Sequence, residues 1–264
     1  MTEQNENLVE IVKERYGRIA QTGSTSCCEP TCCASSEDLG YHGNDLAAVP
    51  AEADLGLGCG APIEPLELRS GETVLDLGSG AGIDVFLAAR LVGPEGRAIG
   101  VDMTPEMLAR ARANAVKGGY GNVEFREGRL EALPVAEGTV DAVTSNCVIN
   151  LVPDKEAVFR EIHRVLKPGG RLVISDIVLD GKLPEEIEKN ILTYVGCVSG
   201  ALLRDRYFDL ARRAGLVEIE ILKDIDFLAA AGQEEAFGNL EDVLGKVRSI
   251  TFRARKPVRE TLAG

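Results

Sequence analysis

The stretch VLDLGSGAGIDVFLAA, residues 74–89, is the most informative run in this chain. A short apolar run contains an aspartate, glycines follow at positions 78, 80 and 82, and an apolar helical stretch begins immediately after them. Small residues at a junction between a strand and a helix allow backbone N–H groups to approach a ligand closely at the helix N-terminus. The stretch therefore predicts a nucleotide-type cofactor at the carboxyl end of the first strand.

Two acidic residues indicate which cofactor binds. The dinucleotide pattern would need a glycine where Ile83 stands, and it carries no acidic residue before its first glycine. Asp76 is placed to accept a hydrogen bond from a cationic amino group, which S-adenosylmethionine (SAM) presents and a pyrophosphate does not. Asp102 ends the next strand, where a carboxylate can accept from both ribose hydroxyls. These features favour SAM over NAD, and the alternative role for Asp102 is that of an ordinary helix-capping acid.

The flanking sequence alternates short apolar runs with helical stretches. Thr104 and Pro105 are typical of the first positions of a helix, and the PGG after Lys167 is typical of a helix end. Such alternation predicts a parallel sheet covered by helices on both faces. The predicted strands are 73–78, 98–103, 123–125, 140–145 and 171–176, and the predicted helices lie near 83–91, 105–118 and 155–166.

The segments on either side of this core are predicted to extend it. An apolar stripe from Leu8 to Ile19 indicates a docking helix, and the alternating segments 217–222 and 246–255 could pair antiparallel at the sheet edge. We therefore expect three parts: an N-terminal docking helix and Cys-rich loop (1–60), a SAM-binding core (61–180), and C-terminal substrate-side helices with sheet-completing strands (181–264).

Composition and charge exclude several classes of function. The chain has 264 residues, of which 45% are apolar, and this is enough for a sizeable core. Its net charge of -13 repels phosphate backbones and anionic lipids, so we expect no nucleic-acid and no membrane partner. No apolar run is long enough for a signal or a membrane span, so we expect a cytoplasmic protein. Its seven cysteines are then expected to remain thiols.

Cys147, in the stretch SNCVINL (145–151), follows the fourth predicted strand and should face the crevice at the carboxyl ends of the strands. A base-driven methyl transfer lacks an obvious base there, because the flanking polar residues are asparagines and His163 belongs to a helix where we expect a structural role. A lone Cys usually only packs. However, Cys59 and Cys197 also stand alone between small residues. Three such thiols around one crevice could form a three-sulfur site for a soft ion.

These motifs resemble known families. Residues 72–180 resemble the class I SAM-dependent methyltransferases, which implies a Rossmann-like α/β fold: a parallel sheet with helices on both faces and an antiparallel edge. The run SNCVINLVPDK, together with the fifty-residue step from Cys147 to Cys197, resembles the arsenite SAM methyltransferases. This second likeness extends from about Tyr16 to Leu216.

The resemblance implies an activity and a set of partners. It implies that Cys59, Cys147 and Cys197 bind trivalent arsenic, supplied as arsenite or its thiol conjugates, and that the products are methylated arsenicals made in arsenic detoxification. It also implies turnover with thioredoxin or glutathione. A further cysteine of the run CCEPTCC takes part in thiol relay, and the candidates are Cys32, Cys33 and Cys28. The same cluster could instead deliver arsenic, bind Zn(II) or be functionally silent.

The cofactor residues follow from the glycine loop and from the resemblance. In the stretch GRLEALP, Arg129 stands where many small-molecule methyltransferases carry Asp, so we assign the adenine contacts to Glu131 and to the backbone of Leu130. The full set of predicted cofactor residues is Asp76, Gly78, Ser79, Gly80, Gly82, Asp102, Met103, Leu130, Glu131 and Asn146.

Two other functions are compatible with parts of the sequence. One is SAM-dependent methylation of a small carbon or oxygen acceptor such as a quinone or sterol, with Cys147 merely packing. The thiol set argues against it. The other is a non-catalytic thiol-based arsenic or zinc binding protein on a degenerate fold. The intact Asp76, glycine loop and Asp102 argue against lost cofactor binding.

Overall fold

The computed structural model describes residues 3–23, 36–37, 39–185, 198, 200–227, 243 and 245–258. The predicted Cys-rich loop, with Cys27, Cys28, Cys32 and Cys33, lies outside the described residues, and so does Cys197. The described residues include the whole of the predicted core.

A sheet of seven strands forms the centre of the described residues. The strands are β1 Thr73–Leu77, β2 Arg97–Asp102, β3 Val123–Glu127, β4 Val140–Asn146, β5 Leu166–Leu179, β6 Val217–Asp226 and β7 Val247–Arg255. Their order across the sheet is β3-β2-β1-β4-β5-β7-β6. The first five run parallel, whereas β7 pairs antiparallel with both β5 and β6. The predicted parallel sheet with an antiparallel edge is confirmed.

Helices cover both faces of this sheet. They are α1 Glu3–Thr22, α2 Gly43–Leu46, α3 Ile83–Val92, α4 Pro105–Gly118, α5 Lys155–Val165 and α6 Arg204–Arg213. In β1, Val74 belongs to a core with Phe86 of α3, whereas Leu75 belongs to the opposite core with Phe159 of α5. Because both faces of β1 are buried, its sequence is apolar on both faces, apart from Asp76, rather than alternating. Truncating either phenylalanine to Ala would cost about 3–5 kcal/mol of stability.

The end of the third predicted helix differs from expectation. Helix α5 ends at Val165, and the residues from Lys167 through the PGG already belong to β5. Strand pairing takes over at this point, because Leu166 pairs with Val140 and Gly169 donates its N–H to the carbonyl of Lys256 at 3.0 Å. The glycines therefore lie in an irregular strand start rather than in a helix terminator.

Helix α1 docks onto the core as its apolar stripe predicts. Val12 is buried in a cluster that also contains Cys59, and Ile19 is buried against Met107 of α4. The helix therefore covers the edge of the sheet where the strands end. No helix within the described ranges combines the length and the apolar character needed to cross a bilayer.

Candidate active site

The glycine loop after β1 folds back onto the end of β2. Gly78 donates its N–H to the carbonyl of Val101 at 2.8 Å, and the chain enters α3 at its N-cap, Gly82. Gly78 has a φ of 68°, and a Cβ at this position would lie 2.4 Å from Val148 Cγ2. A side chain at position 78 is therefore excluded both by the backbone conformation and by its neighbour. The predicted junction of strand, loop and helix is confirmed.

Asp102 is held by backbone hydrogen bonds from the glycine loop and from the start of α4. Its Oδ2 accepts the N–H of Gly80 at 2.9 Å, and its Oδ1 accepts the N–H of Thr104, the N-cap of α4, at 2.8 Å. Burial raises the pKa of Asp102, while these backbone hydrogen bonds act against that rise. The carboxylate therefore joins the glycine loop to the start of α4.

Two further carboxyl groups are buried at the end of β1 and the start of α3. Burial raises the pKa of Asp76 well above its usual value, and the charges of Asp84 and Asp102 raise it further. Burial also raises the pKa of Asp84 to about 6, although the O–H of Tyr41 donates to Asp84 Oδ1 at 2.8 Å and opposes the rise. A cationic ligand is favoured beside such buried acids, because its charge stabilises their ionised forms.

A cavity, called here the cofactor cavity, opens between this loop, β2 and the end of β4. Nine of the ten predicted cofactor residues line it: Asp76, Gly78, Ser79, Gly80, Asp102, Met103, Leu130, Glu131 and Asn146. The tenth, Gly82, instead starts α3. The buried hydroxyl of Ser79 finds no hydrogen-bond partner among the described residues. An unpartnered hydroxyl and a cluster of buried acids fit a polar ligand with a cationic end, as SAM has.

The predicted adenine end of the cofactor cavity is held by an ion pair. Arg129 contacts Glu131 with 2.7 Å between the guanidinium Nη2 and the carboxylate Oε1. Leu130 between them is buried. The guanidinium thus holds the Glu131 carboxylate in place on the wall of the cofactor cavity.

Cys147 sits in a backbone conformation that is unusual for its residue type. It follows the last residue of β4 and has a φ of 56°, in the left-handed region that costs a side-chain-bearing residue about 1–2 kcal/mol. Its N–H donates to the carbonyl of Ser175 at 2.8 Å, which extends the pairing of β4 with β5. This turn leaves Cys147 half-buried on the wall of the cofactor cavity. Strain of this kind is concentrated at functional sites.

Asn146 holds the loop that carries Cys59. Its Oδ1 accepts the N–H of Cys59 at 2.9 Å, and its Nδ2 donates to the carbonyl of Gly60 at 2.7 Å and to the hydroxyl of Tyr41 at 2.9 Å. On the other side, the Ser249 hydroxyl of β7 donates to the carbonyl of Cys59 at 2.7 Å. The backbone of Cys59 is therefore fixed from both β4 and β7.

These arrangements bring two of the three predicted arsenic ligands together. The sulfurs of Cys59 and Cys147 and a carboxylate oxygen of Asp176 all lie within 4.8 Å of one another. Neither cysteine forms a disulfide with another described residue. Cys197, the third predicted ligand, and Cys32 and Cys33, the predicted relay residues, lie outside the described residues.

Asp176 is a fully buried carboxylate at the centre of a polar network. Its Oδ1 accepts from Asn150 Nδ2 at 2.9 Å and from the N–H of Ile177 at 3.0 Å, and its Oδ2 accepts from the Tyr207 hydroxyl at 2.9 Å. Burial raises the pKa of Asp176 to about 7, although these hydrogen bonds and the charge of Lys155 oppose the rise. The carboxylate beside the two thiols is thus held in one orientation.

Sequence reasoning missed Asp84 and Asp176. Asp84 lies within the quoted glycine-loop stretch, and an acid in the first turn of the following helix was a usable signal. Asp176 ends the apolar run RLVISD, so an acid at the carboxyl end of a parallel strand was the corresponding signal there. Their partners Tyr41 and Tyr207 come from distant segments, and no local pattern marks them.

The chain is similar to proteins of known family. The family described as Methyltransferase domain matches residues 68–219. An arsenite methyltransferase of Halobacterium salinarum is 44% identical over 95% of this chain and 67% of its own length. An arsenite methyltransferase of Aquipseudomonas alcaligenes is 40% identical over 81% of this chain and 64% of its own length. The chain therefore spans about two thirds of the length of these relatives.

A solved structure gives the same result. The arsenic(III) S-adenosylmethionine methyltransferase of Chlamydomonas reinhardtii superposes with a TM-score of 0.62 at 32% identity, covering 81% of this chain and 74% of that one. The fold, the glycine loop and the sequence likeness all indicate the same family. The chain belongs to the arsenite methyltransferase family of SAM-dependent methyltransferases.

Proposed function

We propose that this protein transfers a methyl group from SAM to trivalent arsenic held by the thiolates of Cys59, Cys147 and Cys197. The observation that carries the proposal is the approach of the Cys59 and Cys147 sulfurs to each other at the edge of the cofactor cavity. Soft thiolates select a soft, thiophilic centre. The names of the relatives from Halobacterium salinarum and Aquipseudomonas alcaligenes support the same substrate.

The residues of the chain act mainly by positioning. Asn146 fixes the backbone of Cys59, and the left-handed turn at Cys147 directs the second sulfur to the same place. When bound in the cofactor cavity, SAM would supply an electrophilic methyl group. Arsenic held by three sulfurs retains a lone pair, which would form the new As–C bond as the S–CH3 bond breaks and S-adenosylhomocysteine leaves as a neutral thioether. No general base is needed for this attack. Correct placement of reacting groups can lower a barrier by up to about 7–11 kcal/mol.

Turnover requires two electrons in addition to the methyl group. Arsenic becomes formally pentavalent when its lone pair forms the new bond to carbon. We propose that two thiols, one of them Cys32 or Cys33, give up two electrons and two protons as they join in a disulfide, which returns arsenic to the trivalent state. Thioredoxin or glutathione then reduces that disulfide. The biological role that follows is arsenic detoxification.

Product analysis tests the proposal. The purified full chain, incubated with arsenite, SAM and a thiol reductant, should yield methylated arsenic detectable by mass spectrometry. Variants Cys59→Ser, Cys147→Ser and Cys197→Ser should each lose most of the arsenite affinity and the product, whereas Cys27→Ser serves as the matched control. Methylation of a carbon or oxygen acceptor without arsenic product would support a small-metabolite methyltransferase instead. Arsenic binding without SAM binding would support a sequestering protein.

A further inference from the structure

The two described thiols have a carboxylate as their third neighbour. Cys59, Cys147 and Asp176 each offer one ligand atom, and these atoms lie within 4.8 Å of one another. We propose that these three residues form a site for a borderline divalent cation of the Zn²⁺ class, and that a cation bound there competes with the arsenic substrate. The competition, but not the cation site itself, rests on the proposed function.

The donor set matches the coordination preferences of Zn²⁺. Zinc accepts both thiolate sulfur at about 2.3 Å and carboxylate oxygen at about 2.0–2.2 Å, and it takes three protein ligands plus water in open tetrahedral sites. Tetrahedral ligand atoms at these bond lengths stand roughly 3.5–3.8 Å apart. The separations between the three atoms therefore need to shorten by no more than about 1.3 Å. Trivalent arsenic, in contrast, prefers sulfur throughout, so Asp176 discriminates between the two ions.

The surroundings of Asp176 are those of a metal-ligating carboxylate. Ligating carboxylates are themselves hydrogen-bonded by residues that fix their orientation. Asn150, Tyr207 and the backbone of Ile177 provide three such donors. They occupy three of the roughly four acceptor positions of a carboxylate, which leaves one on Oδ2 for a cation.

The charge of the site also favours a cation. When a cation binds, the two thiols lose their protons, so two thiolates and the Asp176 carboxylate surround the ion in a region where Asp176 is fully buried and Cys59 is 3% exposed. Buried charges are stabilised when they pair or coordinate a metal. Because Cys147 is half-buried and lines the cofactor cavity, the cavity gives an ion a route to the site.

Metal titration tests the cation site independently of arsenic. The four cysteines of the CCEPTCC run are first replaced by Ser in the full chain, so that this cluster cannot bind the metal. Zn²⁺ affinity is then measured by competition with a chelator, and Co²⁺ is used as a probe because its charge-transfer absorbance reports the number of thiolate ligands. The expected result is one bound ion with two thiolates.

Two variants separate the cation site from the arsenic site. Asp176→Asn should weaken Zn²⁺ binding at least tenfold and weaken arsenite binding by a clearly smaller factor. Cys197→Ser should leave Zn²⁺ affinity and the two-thiolate Co²⁺ spectrum unchanged, while it weakens arsenite binding at least tenfold. If Asp176→Asn does not fold, the Co²⁺ spectra of Cys197→Ser and of the parent protein are compared. Identical spectra indicate a site with two thiolates, and a loss of thiolate absorbance in the variant indicates a site with three.

Each remaining outcome overturns one specific statement. Zn²⁺ binding that survives Asp176→Asn but is lost in Cys197→Ser would show a three-sulfur site and refute the role of Asp176. Absence of Zn²⁺ binding would refute the cation site. Arsenite affinity that is unaffected by Cys197→Ser would contradict the proposed three-thiol function and leave the cation site untouched. Zn²⁺ that binds without raising the arsenite concentration needed for half-saturation would refute the competition.

Discussion

Cys59 donates its backbone N–H to the side chain of Asn146 at 2.9 Å, although 87 residues separate them in the chain. Asn146 immediately precedes Cys147, so its side chain links the backbone of one thiol residue to the strand end that carries the other. The same amide group donates to the hydroxyl of Tyr41, which in turn donates to Asp84 on the wall of the cofactor cavity. One hydrogen-bonded network therefore joins the loop that carries Cys59 to the wall of the cofactor cavity.

Asn146→Ala should weaken arsenite binding by roughly tenfold. The variant leaves the N–H of Cys59 and the carbonyl of Gly60 without their partner, and a lost buried hydrogen-bond partner costs about 1–3 kcal/mol. Arsenite affinity is measured by titration of the full chain. Asn122→Ala is the matched control, because Asn122 also donates to two backbone carbonyls but does so away from the site, at Ala89 and Gly93. Similar losses of arsenite affinity in both variants would contradict a local role for Asn146.

Asp84 should make stability fall as the pH rises from about 4 to about 6. Its pKa in the folded protein is raised from 3.8 to about 6 by burial, so in this range the folded state holds a proton that the unfolded state has lost. The change amounts to at most about 3 kcal/mol, and it is complete above pH 6.

Urea unfolding at several pH values checks this effect. The free energy of unfolding of Asp84→Asn should depend less steeply on pH between 4 and 6 than that of the wild type. Asp76 and Asp102, whose pKa values are also raised, keep a residual slope of the same sign in the variant. Identical slopes in the two proteins would show that Asp84 has an ordinary pKa.

Cys147→Gly should be more stable than Cys147→Ala by about 0.5–1 kcal/mol. Both variants remove the thiol, but only Gly relieves the left-handed conformation at φ 56°, a gain that exceeds the entropic cost of Gly. Cys59 is the matched control, because it is not among the described non-glycine residues with positive φ. There the order should reverse, with Cys59→Gly less stable than Cys59→Ala. The same order at both positions, measured by chemical denaturation, would argue against strain at Cys147.

The fold was predictable wherever local chemistry decides the structure. The bounds of α4 agree with the predicted 105–118, because Thr104, Pro105 and Gly119 mark its two ends. The PGG after Lys167 gave a wrong prediction, since these residues are compatible with either a helix end or an irregular strand. They belong to a strand here because the start of β5 pairs with β4 and with the residues that follow β7.

The candidate site was predictable only in part, because some of its residues depend on partners that are distant in the sequence. A strand-end position identified Cys147, and flanking glycines identified Cys59. Asp176 gains its role from Tyr207 and Asn150, which lie 31 and 26 residues away, and Asp84 gains its role from Tyr41, which lies 43 residues away. Such partners meet only after the sheet and its helices have formed, so no local spacing reveals them.

Gly78→Ala should be destabilised far more than Gly119→Ala, although both glycines have a φ of 68°. At Gly119 no atom beyond its chain neighbours lies within 4 Å of an added Cβ, so Ala there carries only the backbone strain of about 1–2 kcal/mol. At Gly78 the added Cβ would lie 2.4 Å from Val148 Cγ2, which forces the cofactor loop or the segment after Cys147 to move. Overpacking of this kind adds about 1–3 kcal/mol. Gly78→Ala should therefore also lose SAM affinity, which Gly119→Ala should retain. Denaturation and SAM titration of both variants measure the two effects, and equal stability losses with unchanged SAM affinity would show that the loop does not need the close approach of Gly78 to Val148.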